Sequence, residues 1–206
     1  MNVATPPATP TPRSARDLRL FVALWPTPAV RAALHERRDA IRWPRSAAVV
    51  SDDRLHLTLH FIGSVPRTSL PHLMQALQLP CRSSELELGP ALHWPRGLVV
   101  LPAAAVPAPL LALHAALAGV LAGLGLPVEP RAFRPHVTLA RRAAGAVLPP
   151  PAPPLHWRAS SYALVSSDPT DGYRVLARYG ERGIRRSPAP RTATAQSWPA
   201  PAPTSR

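Results

Sequence analysis

The chain has 206 residues and a formal net charge of +13, and all 24 of its basic residues are arginine. This length fits one domain or two small, closely packed lobes, and an apolar fraction of 46% is enough for a sizeable core. The single cysteine excludes an internal disulfide and a zinc site built from several cysteines, while the positive charge favours a polyanionic partner such as RNA.

Both ends of the chain are rich in proline, threonine and arginine and show no apolar periodicity. We therefore predict disordered tails at residues 1–16 and 183–206, with one folded domain over residues 17–182. The most apolar stretch, 106–126, is interrupted by His114 and three glycines, so we expect no membrane span. The N-terminus lacks a hydrophobic signal core, and we expect a cytoplasmic protein.

Between the tails, strand-like and helix-like patterns alternate. We expect strands at 18–24, 54–62, 86–93, 98–102, 134–141, 162–166 and 173–178. We expect helices at 26–42, 70–79 and 109–124, and a proline-rich loop at 149–154. Two similar strands each follow a helix at some distance. This order indicates an α+β fold of two pseudo-equivalent lobes, each giving one strand to a central cleft.

These two strands carry nearly the same motif, H-x-T-L. It is HLTL from His56 and HVTL from His136. Because alternate side chains of a strand share a face, His56 and Thr58 point one way, and so do His136 and Thr138. The leucines and the valine between them point into a core. The motifs therefore predict two histidines and two hydroxyls in one cleft.

Such a cleft suits phosphodiester hydrolysis. Histidine titrates near pH 6.5 when unperturbed, so His56 and His136 can supply both a base for water and an acid for the leaving oxygen. Thr58 and Thr138 would donate hydrogen bonds to the non-bridging phosphate oxygens, where charge must be stabilised. The near symmetry of the two motifs leaves open which histidine is the acid.

A metal site and a nucleophilic serine or cysteine fit the sequence less well. His56 and His60 are spaced i, i+4, which on a strand separates them by about 13 Å. One zinc ion needs its ligands at about 2 Å. The motifs contain no carboxylate, no serine lies in a G-x-S-x-G turn, and Cys81 lies outside both motifs. We expect chemistry without a metal or another cofactor.

The motifs and their flanks resemble the 2H phosphoesterases, and within them the RNA 2′,3′-cyclic phosphodiesterases, also called 2′-5′ RNA ligases. The resemblance covers roughly residues 18–180 and rests on RLFVAL from Arg19, HLTLHFIG from His56 and FRPHVTLAR from Phe133. It implies a bilobal α+β fold with antiparallel sheets around a central cleft and helices outside. It also implies opening of RNA terminal 2′,3′-cyclic phosphates to 2′-phosphates, and in some members the joining of tRNA halves.

Taken residue by residue, the resemblance implies that His56 is the proton donor and His136 the proton acceptor, with Thr58 and Thr138 beside them. It implies a phosphate contact from Arg141. Strict alternation from His136 places Arg141 on the opposite face, so that role requires a strand end or a β-bulge.

Two further residues are candidate substrate contacts. Phe61 occupies the position in the first motif that Arg141 occupies in the second, where core packing and base stacking are the alternatives. His60 shares a face with His56 and Thr58 by alternation, so it either lines the cleft or is solvated.

Three functions are compatible with these features. The first is metal-independent hydrolysis of RNA terminal 2′,3′-cyclic phosphates. The second is a basic RNA-binding module that has the fold but no turnover. The third is an enzyme for small cyclic nucleotides, or a 2′-5′ ligase acting on tRNA halves. The intact motif pair favours an enzyme acting on RNA ends or 2′,3′-cyclic nucleotides, and no obligate protein partner is evident.

Overall fold

The computed structural model describes residues 17–168, 172–180 and 185–186. In chain order the elements of this part are β1 (Asp17–Leu24), α1 (Pro28–Asp39), β2 (Ala48–Val49), β3 (Leu57–Pro66), α2 (Leu70–Ala76), β4 (Ser84–Leu88), β5 (Leu92–Trp94), β6 (Leu98–Pro102), α3 (Ala108–Gly123), β7 (His136–Arg141), β8 (Leu155–Ala159), β9 (Ser161–Asp168), β10 (Gly172–Gly180) and β11 (Arg185–Arg186). Short 3-10 turns precede β3, α2 and β6.

Nine strands form one antiparallel sheet in the order β11, β10, β9, β1, β3, β7, β6, β5, with β2 paired to β7. β4 and β8 form a separate antiparallel pair. The motif strands β3 and β7 are neighbours and pair only at Leu57 and Val137. The sheet therefore has two halves that join at this pair. The predicted α+β class with antiparallel sheets is confirmed.

The main core lies on the sheet face that carries the leucines of the two motifs. Leu57 and Leu139 are fully buried there. Helix α3 contributes four buried leucines at helical spacing, Leu110, Leu113, Leu117 and Leu121. Burial of each such side chain contributes about 1.5–3 kcal/mol. This packing fixes which face of β3 and β7 is left for the cleft.

The opposite sheet face carries a smaller apolar cluster. Its buried members are Phe21, Ala23, Ala163 and Val165, and Trp25, Tyr173 and Val175 pack against them. The strands β1 and β9 therefore bury side chains on both faces. The sequence of such a strand is a continuous apolar run without apolar–polar alternation, so it does not indicate that a second cluster exists.

The predicted strand over residues 86–93 is wrong, because two separate strands occupy this region. β4 ends at Leu88 and pairs with β8, while β5 pairs with β6 across a tight turn. In that turn Arg96 and Gly97 both have positive φ, 62° and 69°. Pro90 lacks an amide hydrogen and follows Gly89, which favours a break between the strands. β8 itself was not predicted.

The described residues reach into the predicted C-terminal tail at one point. Arg185 and Arg186 form β11 and pair with Arg178 and Ala177 of β10, so these two residues are a strand. The remainder of the predicted tails lies outside the described residues. In the part of the chain that the structure describes, no helix is long and apolar enough to span a membrane.

Candidate active site

Each motif strand has a β-bulge at the second leucine of its H-x-T-L motif. The register of β3 against β1 shifts by one residue at Leu59, and that of β7 against β6 shifts by one residue at Leu139. A bulge places two residues of one strand opposite one residue of its partner and so interrupts alternation. Leu59 and His60 are accordingly buried in succession, as are Leu139 and Ala140. The two bulges are equivalent in position.

The second bulge brings Arg141 back to the cleft. Arg141 is exposed, and its positive charge lowers the pKa of both His56 and His136. Strict alternation is therefore wrong at this position, and a bulge at Leu139 is the physical reason. The equivalent residue of the first motif, Phe61, is also on the cleft side.

Phe61 does not pack in the core. The residue is 48% exposed, and the guanidinium carbon of Arg19 lies 4.9 Å from the ring centroid. The core-packing alternative is therefore wrong for this ring. An exposed aromatic face beside a cation is a surface on which a nucleobase can stack.

The prediction that His60 lines the cleft or is solvated is wrong. His60 is 2% exposed and lies on the core side of β3, because the bulge at Leu59 inverts its direction. Its Nε2 donates a hydrogen bond to the carbonyl oxygen of His114 at 2.9 Å. The two rings stack with centroids 4.0 Å apart. His60 thus joins β3 to α3.

The two motif histidines are held in the same way. Nδ1 of His56 donates to the carbonyl oxygen of Arg54 at 2.6 Å, and Nδ1 of His136 donates to that of Arg134 at 2.7 Å. A carbonyl oxygen only accepts, so the proton of each neutral ring is fixed on Nδ1. Nε2 of each ring is then free to accept a proton. In His56 this atom lies 3.1 Å from the Thr58 hydroxyl oxygen.

The structural repeat is longer than H-x-T-L and reads R-x-H-x-T-L. The guanidinium of Arg54 lies over the Tyr173 ring at 5.5 Å, and that ring is 5.5 Å from the ring of the first motif histidine. The guanidinium of Arg134 lies over Trp94 at 5.2 Å, and Trp94 is 4.5 Å from the second motif histidine. Each histidine therefore lies beside an aromatic ring, and an arginine guanidinium lies over the same ring.

His56 has further aromatic neighbours. The Phe21 ring lies 4.9 Å away, and Trp25 stacks on His56 at 5.8 Å with 18° between the planes. Arg31 lies over Trp25 at 5.6 Å. This aromatic environment was not predicted from the sequence, because Phe21 and Trp25 lie in or beside a strand that is apolar on both faces. The signal that could have found part of it is the arginine two residues before each motif histidine.

Burial lowers the pKa of His56 to about 4 and also lowers the pKa of His136. The hydrogen bonds to the two backbone carbonyls oppose this effect, and the charge of Arg141 adds to it. Both rings are consequently neutral near pH 7. Neutral imidazole with its proton on Nδ1 is the form that a general base requires.

An ion-pair cluster fixes the segment that precedes His56. Asp52 accepts hydrogen bonds from Nδ1 of His35 at 2.9 Å and from Nη1 of Arg38 at 2.5 Å. Arg31 donates to the backbone carbonyl of Asp52. The hydrogen bond from His35 contributes most to lowering the pKa of the Asp52 carboxyl. Helix α1 thereby fixes the segment that leads into the first motif. It also places Arg31 over Trp25.

Within the described residues, no group of three or more histidine, cysteine, aspartate or glutamate side chains is placed to hold a metal ion. The cleft instead presents two imidazoles, two hydroxyls and the guanidinium of Arg141. These groups provide proton transfer and hydrogen bonding to an anion.

A family model described as the 2′-5′ RNA ligase superfamily matches residues 23–170. The chain belongs to this superfamily. Membership of the 2′-5′ RNA ligase superfamily confirms the resemblance to 2H phosphoesterases that the motifs showed. The matched region includes both motif strands and the loop that carries Arg134.

Similar proteins support the same assignment. The RNA 2′,3′-cyclic phosphodiesterase of Thermus thermophilus is 36% identical over an alignment of 184 residues. The alignment covers 81% of this chain and 91% of that protein. E. coli LigT complexed with 3′-AMP aligns with a TM-score of 0.70 at 28% identity, covering 80% of this chain and 98% of LigT. The crystal structure of TT0787 from T. thermophilus aligns with a TM-score of 0.69 at 31% identity, covering 81% of this chain and 99% of TT0787.

Proposed function

We propose that this 2H phosphoesterase hydrolyses terminal 2′,3′-cyclic phosphates of RNA to 2′-phosphomonoesters without a metal ion. The chain is a phosphodiesterase of the 2′-5′ RNA ligase superfamily, and its relative in T. thermophilus is an RNA 2′,3′-cyclic phosphodiesterase. The observation that carries the proposal is the matched hydrogen bonding of His56 and His136. On two neighbouring strands, each ring donates from Nδ1 to a backbone carbonyl and keeps Nε2 for proton transfer.

In the proposed reaction His136 is the general base. Its Nε2 takes a proton from water while the water oxygen bonds to phosphorus. The bond between phosphorus and O3′ breaks, and Nε2–H of His56 protonates O3′ as it leaves. The product is a 2′-phosphomonoester with a free 3′-hydroxyl, and the two histidines exchange protons with solvent before the next turnover.

The acid role of His56 requires that substrate raise its pKa. In the free protein burial keeps this pKa at about 4, so the ring carries no proton at pH 7. A phosphate anion beside the ring stabilises the imidazolium, which raises the pKa. Substrate binding then supplies both the phosphorus centre and the electrostatic condition for protonating His56.

The remaining candidate residues bind the substrate. Thr58 and Thr138 donate hydrogen bonds to the non-bridging oxygens, and Arg141 provides a positive charge where negative charge increases in the transition state. The exposed ring of Phe61 offers a stacking surface to the terminal nucleobase. His60 has no direct role in this scheme, because it is buried on the other side of β3.

A second candidate function is hydrolysis of small 2′,3′-cyclic nucleotides. It is favoured by the solved complex of LigT with a mononucleotide, 3′-AMP. A third is 2′-5′ ligation of tRNA halves, which the name of the matched family raises. Hydrolysis and ligation would use the same cleft. They differ in whether water or an RNA 5′-hydroxyl reacts at phosphorus.

The test uses an RNA oligonucleotide ending in a 2′,3′-cyclic phosphate, with enzyme that has been dialysed against EDTA. We expect phosphorus NMR to show complete conversion to a 2′-phosphomonoester. A 3′-phosphate product would contradict the assignment of the leaving oxygen. Activity that disappears with EDTA and returns with added zinc or magnesium would contradict metal independence. Tight RNA binding without turnover would favour the non-catalytic binding module.

A further inference from the structure

A cavity of about 230 Å³ opens beside the second motif strand. Its walls are formed by Leu92 and Trp94 of β5, Pro102 at the end of β6, the following segment 103–106, and the segment 133–135 that leads into β7. The lining is apolar apart from one charged side chain in the last segment. The cavity lies outside the set of residues that the proposed reaction uses.

One wall of the cavity connects it to the catalytic cleft. The Trp94 ring lies 4.5 Å from the ring of His136, and the guanidinium of Arg134 lies over the same tryptophan at 5.2 Å. Arg134 is the charged residue of the lining and is exposed. The Trp94 ring therefore separates a ligand in the cavity from the catalytic cleft, and the Arg134 cation lies beside that ligand.

Other lining residues are fixed in place by the core. Phe133 stacks on His114 with ring centroids 4.0 Å apart and 19° between the planes, and His114 stacks in turn on the buried ring of His60. The amide of Ala103 donates to the carbonyl oxygen of Pro135 at 2.9 Å and ties two lining segments together. A cavity held in this way needs little ordering when a ligand binds.

The geometry points to a subsite for the nucleobase of the penultimate nucleotide, the one that precedes the terminal cyclic phosphate. This inference rests on the proposed function, because it takes the terminal phosphate to lie between the two motif histidines. The cavity is smaller than the about 300–1,000 Å³ typical of drug-sized ligands, which suits a single planar base. Single-stranded RNA is commonly read by stacking on aromatic rings and arginine planes.

Charge complementarity also favours this occupant. The phosphodiester that links the last two nucleotides is an anion, and it would lie between the cleft and the cavity, where Arg134 is exposed. Leu92 and Val106 are 43% and 37% exposed at this end of the sheet, although both line the cavity. A base in the cavity would cover this apolar surface. The subsite would make the enzyme select RNA ends over mononucleotides.

The experiment compares two substrates, a dinucleotide ending in a 2′,3′-cyclic phosphate and the matching nucleoside 2′,3′-cyclic phosphate. Ala105→Phe adds a ring to the exposed segment of the lining and fills the cavity. Ala122→Phe is the matched control, because Ala122 is exposed near the far end of α3. Circular dichroism melting checks that both variants are folded.

We expect the wild type to show a kcat/KM about tenfold or more higher for the dinucleotide, a gain typical of one stacked base. Ala105→Phe should remove most of this preference, and Ala122→Phe should keep it. The inference is overturned if the wild type has no preference, or if Ala105→Phe keeps the wild-type ratio.

A failure of the proposed function gives a different result. In that case the wild type hydrolyses neither substrate, and calorimetry tests the subsite directly. The ligands are then a dinucleotide ending in a 2′-phosphate and the corresponding mononucleotide. Tighter binding of the dinucleotide to wild type but not to Ala105→Phe supports the subsite, and equal affinities for the two ligands overturn it.

Discussion

The two motif histidines are protonated on Nδ1 because a backbone carbonyl oxygen fixes that atom of each ring. A neutral ring is easy to bury, and the surrounding aromatic rings of Phe21, Trp25 and Trp94 make it easier. The same burial opposes protonation and so lowers the pKa of His56 and His136. At the residue scale, catalysis therefore depends on how an anionic substrate changes these pKa values.

The first prediction concerns the protonation of His56. In the free protein its ring should titrate at about pH 4 because it is buried. Saturating inorganic phosphate should raise this pKa by a unit or more, since the anion stabilises the imidazolium. NMR of ¹⁵N-histidine-labelled protein measures both titrations, and comparison with His56→Ala identifies the His56 signals. Titration of His56 near pH 6.5 in the free protein would contradict the account.

The second prediction concerns Arg141. Its charge lowers the pKa of both motif histidines, so Arg141→Ala should raise both values and move the acidic limb of the pH–rate profile to higher pH. Loss of one donor to the transition state should reduce kcat by about 10²–10³-fold. Arg142→Ala removes the same charge from the neighbouring exposed residue and is the control. Equal effects of the two substitutions would show that Arg141 acts only through net charge.

At the scale of single elements, period-two alternation predicted which face of each motif strand carries the histidine and the threonine. It failed beyond the second leucine of each motif. A β-bulge depends on pairing with a neighbouring strand, and local sequence does not record that pairing. The bulges at Leu59 and Leu139 turn His60 into the core and bring Arg141 to the cleft. The equivalent chemistry of the two motifs was therefore predictable, but the side-chain directions of the residues that follow each motif were not.

A stack of three rings joins β3, α3 and the segment before β7. Burial lowers the pKa of His114 to about 4, with the neighbouring His60 adding to the effect, and burial also lowers the pKa of His60. Nδ1 of His60 is buried without a hydrogen-bond partner. Both rings are thus neutral in the folded protein at pH 7, and protonating either places a charge in the stack that supports Phe133.

The third prediction follows from this stack. Unfolded histidine titrates near pH 6.5, so between about pH 4 and 6.5 the unfolded chain binds more protons than the native state. The contribution of the neutral stack to the free energy of unfolding is then fully present above pH 6.5 and decreases as the pH falls. Urea unfolding at pH 7.5 and pH 5 should show a loss of unfolding free energy. His114→Phe should reduce this loss by roughly 1–2 kcal/mol, a value that allows for solvent screening of the partly exposed ring. His156→Gln, at an exposed position, should reduce it little. An unchanged loss in His114→Phe would contradict the neutral stack.

At the scale of the whole molecule, the α+β class was predictable because the repeated motif indicates two related lobes. The way in which the lobes join was not. β3 and β7 meet at one residue pair, and β4 pairs with β8 across a long stretch of chain. Such distant pairings leave no periodic signal in either segment. The aromatic and arginine environment of the histidines is also assembled from distant segments, so it became visible only in the structure.

The fourth prediction concerns the net charge of +13. This charge should attract a polyanionic substrate, and added salt should weaken the attraction because it screens the charges. A mononucleotide carries little charge, so salt should affect its capture less. Between about 50 and 300 mM salt, kcat/KM should fall more steeply for an RNA of about ten or more nucleotides than for a nucleoside 2′,3′-cyclic phosphate. Parallel salt dependences would show that the arginines outside the cleft do not assist RNA capture.

The central claim is that two histidines transfer the protons of hydrolysis, and the turnover of His56→Ala and His136→Ala tests it most directly. Each variant should remain folded in thermal melts and lose at least about 10²–10⁴-fold in kcat on an RNA 2′,3′-cyclic phosphate, because it lacks an acid or a base. The wild type should show a bell-shaped pH–rate profile. Turnover close to the wild-type value in either folded variant would contradict the paired-histidine mechanism.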